Sequence, residues 1–260
     1  METLSPLNPC VVFDGYAPPS LRRLPEKSAV LLLVPGCNQS GKTAFLAPGS
    51  EWIPFADREN LVLLTPSFRT SPEELRRREG YYYPARWSGE AAEEALRQLA
   101  ARYSVDARRI ALFGFSAGAH FAHRFAEWKP DRVVAFAAYS AAWWDEPTDH
   151  LARVPALIMC GEDDVRFEAT LAYFQRGNAL GHPWLWRAYR NTGHEAAAEA
   201  MEMARVFLRH YLRKGAEGPQ IGDIQTYKVY PMEQLEDIPA SCRVILPSAQ
   251  VAAAWTRERR

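Results

Sequence analysis

The sequence predicts an α/β fold in which a mainly parallel central sheet is covered by helices on both faces. Two observations support this prediction. Short apolar runs alternate with segments of helical periodicity between about residues 29 and 212. The runs are also continuously apolar, as in residues 29–34 (AVLLLV), and such runs are typical of strands that a parallel sheet buries on both faces.

The predicted elements follow one another in the order expected of strands joined by helices. Strands are predicted at residues 29–34, 61–65, 109–113, 132–138, 156–160 and 184–189. Helices are predicted at residues 89–103, 117–128, 168–176 and 196–212, where apolar residues recur every three or four positions. Sequential strands with helical connections run parallel, and their crossovers are right-handed.

The two ends of the chain differ from this central region. Residues 1–28 contain five prolines, and an edge strand is predicted at residues 10–14. Residues 213–223 are rich in glycine and are predicted to be a linker. The chain is therefore divided into a domain at 1–212, the linker, and a C-terminal extension at 224–260. Within the extension, strands are predicted at 226–230 and 243–246, followed by a helix capped by Ser248.

Composition and charge exclude several classes of partner. The 260 residues include 31 basic and 31 acidic side chains, so the formal net charge is zero. A nucleic-acid-binding protein needs a basic surplus, and none is expected here. No apolar stretch reaches the length of a membrane span, so we expect no membrane partner. The N-terminus lacks a basic segment followed by an apolar core, which predicts a cytoplasmic protein, although a secreted mature form would look the same.

The cysteines do not indicate a metal site. Four of them are scattered along the chain without a CxxC pair, at positions 10, 37, 160 and 242. This spacing fits neither a zinc site nor a disulfide framework, so reduced thiols are expected. We therefore predict no metal and no cofactor. The sequence does not indicate an oligomeric state.

One candidate site lies at residues 114–118 (GFSAG), between the predicted strand at 109–113 and the predicted helix at 117–128. A GxSxG pattern in this context is a nucleophile elbow, a sharp turn that presents the serine oxygen above the sheet. The flanking glycines avoid collisions in the strained turn, and the helix N-terminus favours negative charge nearby. The pattern therefore indicates that Ser116 is a nucleophile.

A second candidate site competes with the first. Residues 36–43 (GCNQSGKT) satisfy the phosphate-loop pattern GxxxxGK[ST] and also follow an apolar run. A phosphate loop leads into a long helix whose first amides bind phosphate, whereas residues 44–49 (AFLAPG) break the helix after about one turn. No predicted strand ends in a bare aspartate that could hold magnesium. Nucleotide binding at residues 36–43 is therefore kept as an alternative hypothesis.

The serine has candidate partners in two later loops. The strand at 156–160 leads into residues 161–164 (GEDD), and the strand at 184–189 leads into residues 191–195 (NTGHE). Serine, acid and histidine in this order, each in a loop after a strand, match the triad order of a nucleophile-elbow sheet. We predict that His194 is the general base, because imidazole accepts and returns a proton near neutral pH. His120 and His123 are the alternatives, and both are expected to pack in the helix after the elbow.

These motifs together resemble the α/β-hydrolase superfamily over roughly residues 10–212. Residues 35–39 (PGCNQ) are similar to the HGCxQ segment of polyhydroxybutyrate-depolymerase-type and feruloyl-type esterases, with Pro35 in place of the histidine. The resemblance implies an α/β-hydrolase fold and a Ser-His-Asp triad. Asp164 matches the Gly-x-x-Asp position and is favoured over Asp163, with Glu162 third. Only 16 residues separate Tyr139 from Ala156, so no large lid domain is expected there.

The resemblance also suggests which groups surround the serine. The oxyanion hole should be formed by the backbone N–H groups of Ala117 and Cys37, with Asn38 as the alternative to Cys37. The thiol of Cys37 is expected to be buried and structural. Aromatic side chains could stack on a flat substrate group or could equally anchor loops. The candidate pocket residues are Asn38, Phe115, Tyr82, Trp87, Trp143 and Trp144.

Three functions remain to be compared. The first is a serine hydrolase that cleaves a carboxylic ester, or a related acyl bond, of a small-molecule or oligomeric substrate through an acyl-enzyme intermediate. The second is nucleotide binding by residues 36–43. The third is a hydrolase-like scaffold that serves as a non-catalytic binding protein. The sequence does not identify the acyl group or separate hydrolysis from acyl transfer, since one triad serves many reactions.

Overall fold

The computed structural model describes residues 2–4, 11–22, 27–213 and 218–257. The strands in these ranges are β1 (Glu2–Leu4), β2 (Val12–Tyr16), β3 (Ser28–Val34), β4 (Val62–Ser67), β5 (Val105–Phe115), β6 (Val133–Tyr139), β7 (Ala156–Gly161), β8 (Trp184–Tyr189), β9 (Gln220–Asp223), β10 (Val229–Tyr230) and β11 (Arg243–Leu246). The α-helices are α1 (Gly41–Phe45), α2 (Trp52–Glu59), α3 (Pro72–Arg76), α4 (Ser88–Arg102), α5 (Ala117–Trp128), α6 (Phe167–Ala179), α7 (Ala198–Leu212) and α8 (Ala249–Trp255).

The central sheet has eight strands in the order β1-β2-β4-β3-β5-β6-β7-β8. Strands β4, β3, β5, β6, β7 and β8 run parallel to one another. Strand β2 is antiparallel to β4, and β1 is antiparallel to β2. The six predicted strands of the central region are all present, and the prediction of a mainly parallel sheet is confirmed.

The strand order explains how helices come to cover both faces. The step from β3 to β4 runs in one direction along the sheet, whereas the steps from β4 to β5, β5 to β6 and β7 to β8 run in the other. Right-handed crossovers place the helices of opposite steps on opposite faces. Helices α1 and α2 therefore lie on one face, and α4, α5 and α6 lie on the other. Helix α7 contacts α2 and joins its face.

The core lies on both sides of the central strands. Residues 30–34 of β3 and 110–113 of β5 are fully buried, which is why these strands are continuously apolar in sequence. On one face, the ring of Phe113 lies 5.9 Å from that of Phe45 and 5.2 Å from that of Trp52. On the other, the rings of Phe68 and Phe121 lie 5.5 Å apart.

The C-terminal segment covers the outer edge of β8. Strand β9 pairs with β10 and β11 in a separate antiparallel sheet, and α8 packs against it and against α7. The indole Nε1 of Trp255 donates to the backbone oxygen of Trp186 at 2.7 Å, and the backbone N–H of Ala188 donates to the hydroxyl of Tyr227 at 2.9 Å. Side chains thus bond the backbone groups that an added strand would use, which protects the edge.

Several terminal elements differ from the sequence prediction. The predicted edge strand at 10–14 is instead β2, and Cys10 lies outside the described residues. The prediction of an edge position is wrong because β1 pairs on the outer side of β2. Strand β9 begins at Gln220, inside the predicted linker, of which residues 214–217 are not described. The division into 1–212, 213–223 and 224–260 remains a prediction.

Two helices went unpredicted because proline interrupts the periodicity. Helix α2 carries Pro54 in its first turn, and α3 begins at Pro72 after a capping box formed by Ser71 and Glu74. Proline is compatible with a first helical turn, where its missing N–H is not needed. None of the helices in the described ranges has the length and apolar character needed to span a bilayer.

Candidate active site

The turn between β5 and α5 holds Ser116 in a strained backbone conformation, with φ 56° and ψ −114°. The flanking glycines are required by close approach of the backbone. A Cβ at Gly114 would lie 2.0 Å from the backbone oxygen of Gly118, and a Cβ at Gly118 would lie 1.9 Å from that of Val34. The GxSxG spacing therefore reflects tight packing of the turn against β3, and the strain lifts the serine side chain above the sheet.

Two loops at the same edge of the sheet bring Asp164 and His194 to Ser116. Asp164 follows β7, and His194 follows β8. The Nε2 atom of His194 lies 2.8 Å from the Oγ of Ser116, and its Nδ1 lies 2.7 Å from the Oδ2 of Asp164. Because a carboxylate only accepts, Nδ1 carries the proton and Nε2 accepts from the serine hydroxyl. The three side chains thus form one continuous hydrogen-bonded series.

The carboxylate of Asp164 is fully buried and has a second partner, the cationic side chain of Arg166. Its Oδ1 accepts from the backbone N–H of Arg166 at 3.1 Å and from the Nη1 of Arg166 at 3.0 Å. Burial opposes ionisation, but the hydrogen bonds from His194 and Arg166 outweigh it and lower the pKa of Asp164. Asp163 and Glu162, the competing carboxylates, are exposed. Of the three, Asp164 is the one that contacts His194.

A cavity of about 650 Å³ opens beside His194. The ring of Phe115, a predicted pocket residue, lies 5.1 Å from the imidazole with a 22° angle between the planes and forms part of the wall. The stacked ring covers one face of the imidazole and limits its rotation. The volume falls in the range that small-molecule sites occupy.

The candidate oxyanion donors lie on either side of the elbow. Ala117 begins α5, so its N–H belongs to the first turn, which has no carbonyl acceptor within the helix. Cys37 lies in the turn that follows β3, and the start of this turn packs against Gly118. The prediction that its thiol is buried is wrong. Strand β3 ends at Val34, and the turn beyond it leaves the sheet and exposes the Cys37 side chain.

Asn38 fixes the turn that carries Cys37. Its backbone has a left-handed φ of 55°. Its Nδ2 donates to the backbone oxygen of Thr70 at 3.0 Å, and its Oδ1 accepts from the N–H of Thr70 at 2.8 Å. Arg69 also donates to the backbone oxygen of Asn38. Both polar ends of the Asn38 side chain therefore hold the loop, and in this arrangement they are not directed to a ligand.

The predicted pocket aromatics fall into two groups. Tyr82 stacks on His120 with ring centroids 5.0 Å apart, and the ring of Trp143, which is 57% exposed, lies 5.2 Å from that of His120. Trp87 and Trp144 make their contacts in the interior. Trp87 packs 5.6 Å from Phe68, and Trp144 stacks 4.2 Å from Tyr173. The structure thus brings Tyr82 and Trp143 together and leaves Trp87 and Trp144 as anchors.

His120 and His123 are buried in α5, as predicted for packing residues. Burial is the main cause that lowers both pKa values, to about 3 for His123 and well below the ordinary value for His120. Both rings are therefore neutral near pH 7. The Nε2 of His120 accepts from the N–H of Ala142 at 3.1 Å. His120 thus supports the segment that leads to Trp143.

The competing motif at residues 36–43 has a structural explanation. Helix α1 contains five residues, and Lys42 is exposed. The second glycine of the pattern is required by packing, since a Cβ at Gly41 would lie 2.1 Å from the Oγ1 of Thr65. The hydroxyl of Ser40 caps the helix by accepting from the N–H of Thr43. Ser40 and Gly41 therefore have structural roles that require no bound phosphate.

Sequence reasoning missed the charged residues that hold the site together. Arg166 stands two positions after Asp164, a spacing that carries no known signal. The buried Arg124 donates to Asp145 at 2.7 Å and 2.8 Å and to the backbone oxygen of Tyr82 at 3.2 Å. This arginine joins the loop that carries Trp143 to the segment that carries Tyr82. No pattern in the sequence indicates such a long-range contact.

No family model and no curated protein matches the sequence significantly. Solved structures do match it. A ferulic acid esterase aligns with a TM-score of 0.65 at 20% identity, over 82% of this chain and 96% of that one. A poly(3-hydroxybutyrate) depolymerase from Bordetella parapertussis aligns with a TM-score of 0.59 at 22% identity, over 80% and 86%. A fluorophosphonate-binding serine hydrolase from Staphylococcus aureus aligns with a TM-score of 0.62 at 14% identity, over 80% and 97%.

The chain has the α/β-hydrolase fold. The prediction of this fold is confirmed, including the absence of a large lid. The connection between β6 and β7, residues 140–155, holds only a 3-10 turn at Asp149–Leu151. The α/β-hydrolase fold also explains why Ser116, Asp164 and His194 meet, since parallel strands end at the same edge of a sheet. Within the described ranges, no cluster of three or more His, Cys, Asp or Glu side chains is arranged to hold a metal ion.

Proposed function

We propose that this protein is a serine hydrolase that cleaves a carboxylic ester or a related acyl bond through an acyl-enzyme intermediate. One observation carries the proposal. Ser116, His194 and Asp164 form a continuous series with distances of 2.8 Å and 2.7 Å, and the serine stands on a strained elbow. A serine hydroxyl alone is a weak nucleophile at neutral pH and needs such a base. The esterases and hydrolases among the structural neighbours agree with this function.

The first half of the reaction forms the acyl-enzyme. As the Oγ of Ser116 attacks the carbonyl carbon, the Nε2 of His194 takes the hydroxyl proton. The carboxylate of Asp164 holds the imidazole in the required tautomer and stabilises the imidazolium that results. His194 then gives the proton to the oxygen of the leaving alcohol as the ester bond breaks.

The second half of the reaction releases the acid. A water molecule attacks the acyl carbon, and His194 removes its proton in the same way. The tetrahedral intermediate collapses, the bond to Ser116 breaks, and the serine oxygen recovers its proton from the imidazolium. The protein's own side chains carry every proton in this sequence, so the mechanism calls for no cofactor.

The negative charge on the carbonyl oxygen needs donors on the opposite side of the carbonyl from His194. The N–H groups of Ala117 and Cys37 are the proposed donors. Ala117 stands at the positive end of the α5 dipole, which also favours the developing charge. The backbone oxygen of Asn38 accepts from Arg69, and its Oδ1 accepts from the N–H of Thr70. These two hydrogen bonds fix the turn that carries the second donor.

The exposure of the site fits a small-molecule or oligomeric ester. The side chain of His194 is 31% exposed, and no lid formed by the described residues covers this edge of the sheet. A substrate larger than the cavity can therefore reach Ser116 with part of its chain in solvent. The same distances argue against a non-catalytic scaffold, because a binding protein has no need to hold His194 within hydrogen-bonding distance of a strained serine.

The experiment is covalent labelling with a fluorophosphonate, combined with turnover of p-nitrophenyl esters. Ser116 should be labelled in the folded protein, and Ser116→Ala should lose both labelling and turnover. Ser241→Ala, which removes an exposed hydroxyl on the C-terminal segment, is the matched control and should retain both. An unlabelled Ser116 in folded protein, or turnover that survives in Ser116→Ala, would show that the proposal is wrong.

A further inference from the structure

The cavity beside His194 has a mainly apolar wall and extends along α7. Phe45, Trp52, Phe115 and Met201 contribute its large apolar side chains. Three residues of α7 line it at helical spacing, namely Ala198, Met201 and Arg205. From the start of α7 to Arg205 the helix rises about 10 Å. The cavity therefore leads from the reacting groups, along an apolar wall, to a single arginine.

Arg205 packs against Trp52 in the wall of this cavity. Its guanidinium carbon lies 5.4 Å from the centroid of the Trp52 ring. In the part of the chain that the structure describes, it forms no hydrogen bond or salt bridge. The charge of the neighbouring Glu202 acts on Arg205, but the salt bridge of Glu202 is formed with Arg257. Burial lowers the pKa of Arg205, although a guanidinium stays charged at every working pH.

The acidic residues of the cavity do not satisfy this charge. Glu51 and Glu195 line the same cavity, and both are exposed. The charge of Glu51 acts on Arg205 from outside hydrogen-bonding range, and water screens an exposed carboxylate. A partly buried guanidinium without direct partners binds a carboxylate favourably when the carboxylate displaces its remaining water. Hydrogen bonds between ionised groups are stronger than hydrogen bonds between neutral groups.

We propose that the cavity binds the acyl chain of the substrate and that Arg205 binds a carboxylate at the far end of that chain. The preferred substrates are then esters of dicarboxylic acids in which one carboxyl is esterified and the other is free. The inference rests on the proposed function, because it assigns Ser116 to the ester end. It makes Arg205 a specificity-determining residue and leaves the chemical step to the triad.

The test compares p-nitrophenyl half-esters of adipic, pimelic and suberic acids with esters of equal length that end in an isopropyl group, which has the shape of a carboxylate without its charge. The wild-type protein should favour the charged member of at least one pair by about tenfold in kcat/KM, the scale of one hydrogen bond between charged groups. The preference should disappear in Arg205→Gln, weaken in Arg205→Lys and remain in the control Arg213→Gln. Arg213 is an exposed arginine at the end of α7 that does not line this cavity.

The outcomes separate this inference from the proposed function. Equal kcat/KM values for both members of every pair in the wild-type protein overturn the inference while Ser116 remains a nucleophile. A preference that persists in folded Arg205→Gln overturns it as well. If neither ester is hydrolysed and a fluorophosphonate fails to label Ser116, the proposed function fails and the inference falls with it. Glu51→Gln provides a further check, since removal of the exposed negative charge should increase the preference.

Discussion

Arg166 and His194 bind opposite oxygens of one buried carboxylate. The Nη1 of Arg166 lies 3.0 Å from the Oδ1 of Asp164, and the Nδ1 of His194 lies 2.7 Å from Oδ2. Burial raises the pKa of Asp164, but the hydrogen bonds from His194 and Arg166 together lower it. The arginine therefore helps to keep Asp164 ionised, in the form that accepts from Nδ1–H of His194.

Arg166→Gln should make the protein less stable at acidic pH. The side chain of Arg166 helps to lower the pKa of Asp164, so this pKa should rise in the variant. A carboxyl group whose pKa is lowered by folding contributes stability above its unfolded pKa, and this stability is lost as pH falls through the folded pKa. In the variant the contribution should be smaller, and the midpoint of its loss should lie at higher pH. The measurement is the free energy of unfolding between about pH 3 and 7. Arg190→Gln, which removes an exposed arginine at the same edge of the sheet, should leave the midpoint in place. A midpoint that stays put or moves down in Arg166→Gln contradicts the argument.

Asp164→Asn and Asp163→Asn should differ strongly although the residues are adjacent. The amide at 164 carries no negative charge to hold Nδ1–H of His194. The imidazole is then no longer kept in the required tautomer, and the imidazolium formed during the reaction is no longer stabilised. We expect kcat to fall by about 10³- to 10⁴-fold. Asp163 is exposed, and its N–H, which donates to the backbone oxygen of Thr192 at 3.0 Å, survives the substitution. Asp163→Asn should therefore stay within twofold of wild type, about the scatter expected of a surface change. Similar losses in both variants would mean that Asp164 is not the acid.

Trp143→Ala and Trp144→Ala should affect different properties. Trp144 stacks on Tyr173 at 4.2 Å and donates to Thr170 at 3.3 Å, so its removal leaves a gap in the interior. The free energy of unfolding should drop by about 2 kcal/mol or more. Trp143 is 57% exposed, and its loss should change stability by less than about 0.5 kcal/mol. Urea unfolding checks both values. The exposed ring of Trp143 lies beside Tyr82 and His120, where a flat leaving group could stack on it. KM for esters with such a leaving group should therefore rise in Trp143→Ala.

Tyr227→Phe tests how the C-terminal segment protects the edge of β8. The hydroxyl of Tyr227 accepts from the N–H of Ala188 at 2.9 Å, and phenylalanine leaves that N–H without an acceptor. The free energy of unfolding should fall by about 1 to 2 kcal/mol, and the amide of Ala188 should exchange with solvent faster. Tyr230→Phe, in β10 of the same small sheet, is the control. Equal stability of the two variants would argue that the edge is held by packing alone.

Sequence was a good guide to the central sheet and a poor guide to its surroundings. The six parallel strands are continuously apolar because both of their faces are buried, and this pattern needs no knowledge of distant contacts. The loop positions of Ser116, Asp164 and His194 follow from the same regularity. Helices α2 and α3 carry proline in the first turn, which hides their periodicity. Arg166 stands two positions after Asp164, a spacing that no known motif marks. Arg205 packs against Trp52, which lies far from it in sequence, so no local pattern indicates the contact.

Lys42→Ala separates the two motifs that compete in the sequence. Lys42 is exposed on the five-residue helix α1, so its loss should change ester turnover less than twofold and stability by less than about 0.5 kcal/mol. A lysine that bound phosphate would be essential, because it would neutralise the charge of the nucleotide. Ester turnover and magnesium-dependent ATP binding should therefore be measured in Lys42→Ala and Ser116→Ala side by side. We expect Ser116→Ala to be inactive, Lys42→Ala to match wild type, and neither to bind ATP. Loss of activity in Lys42→Ala alone would favour the phosphate loop over the triad.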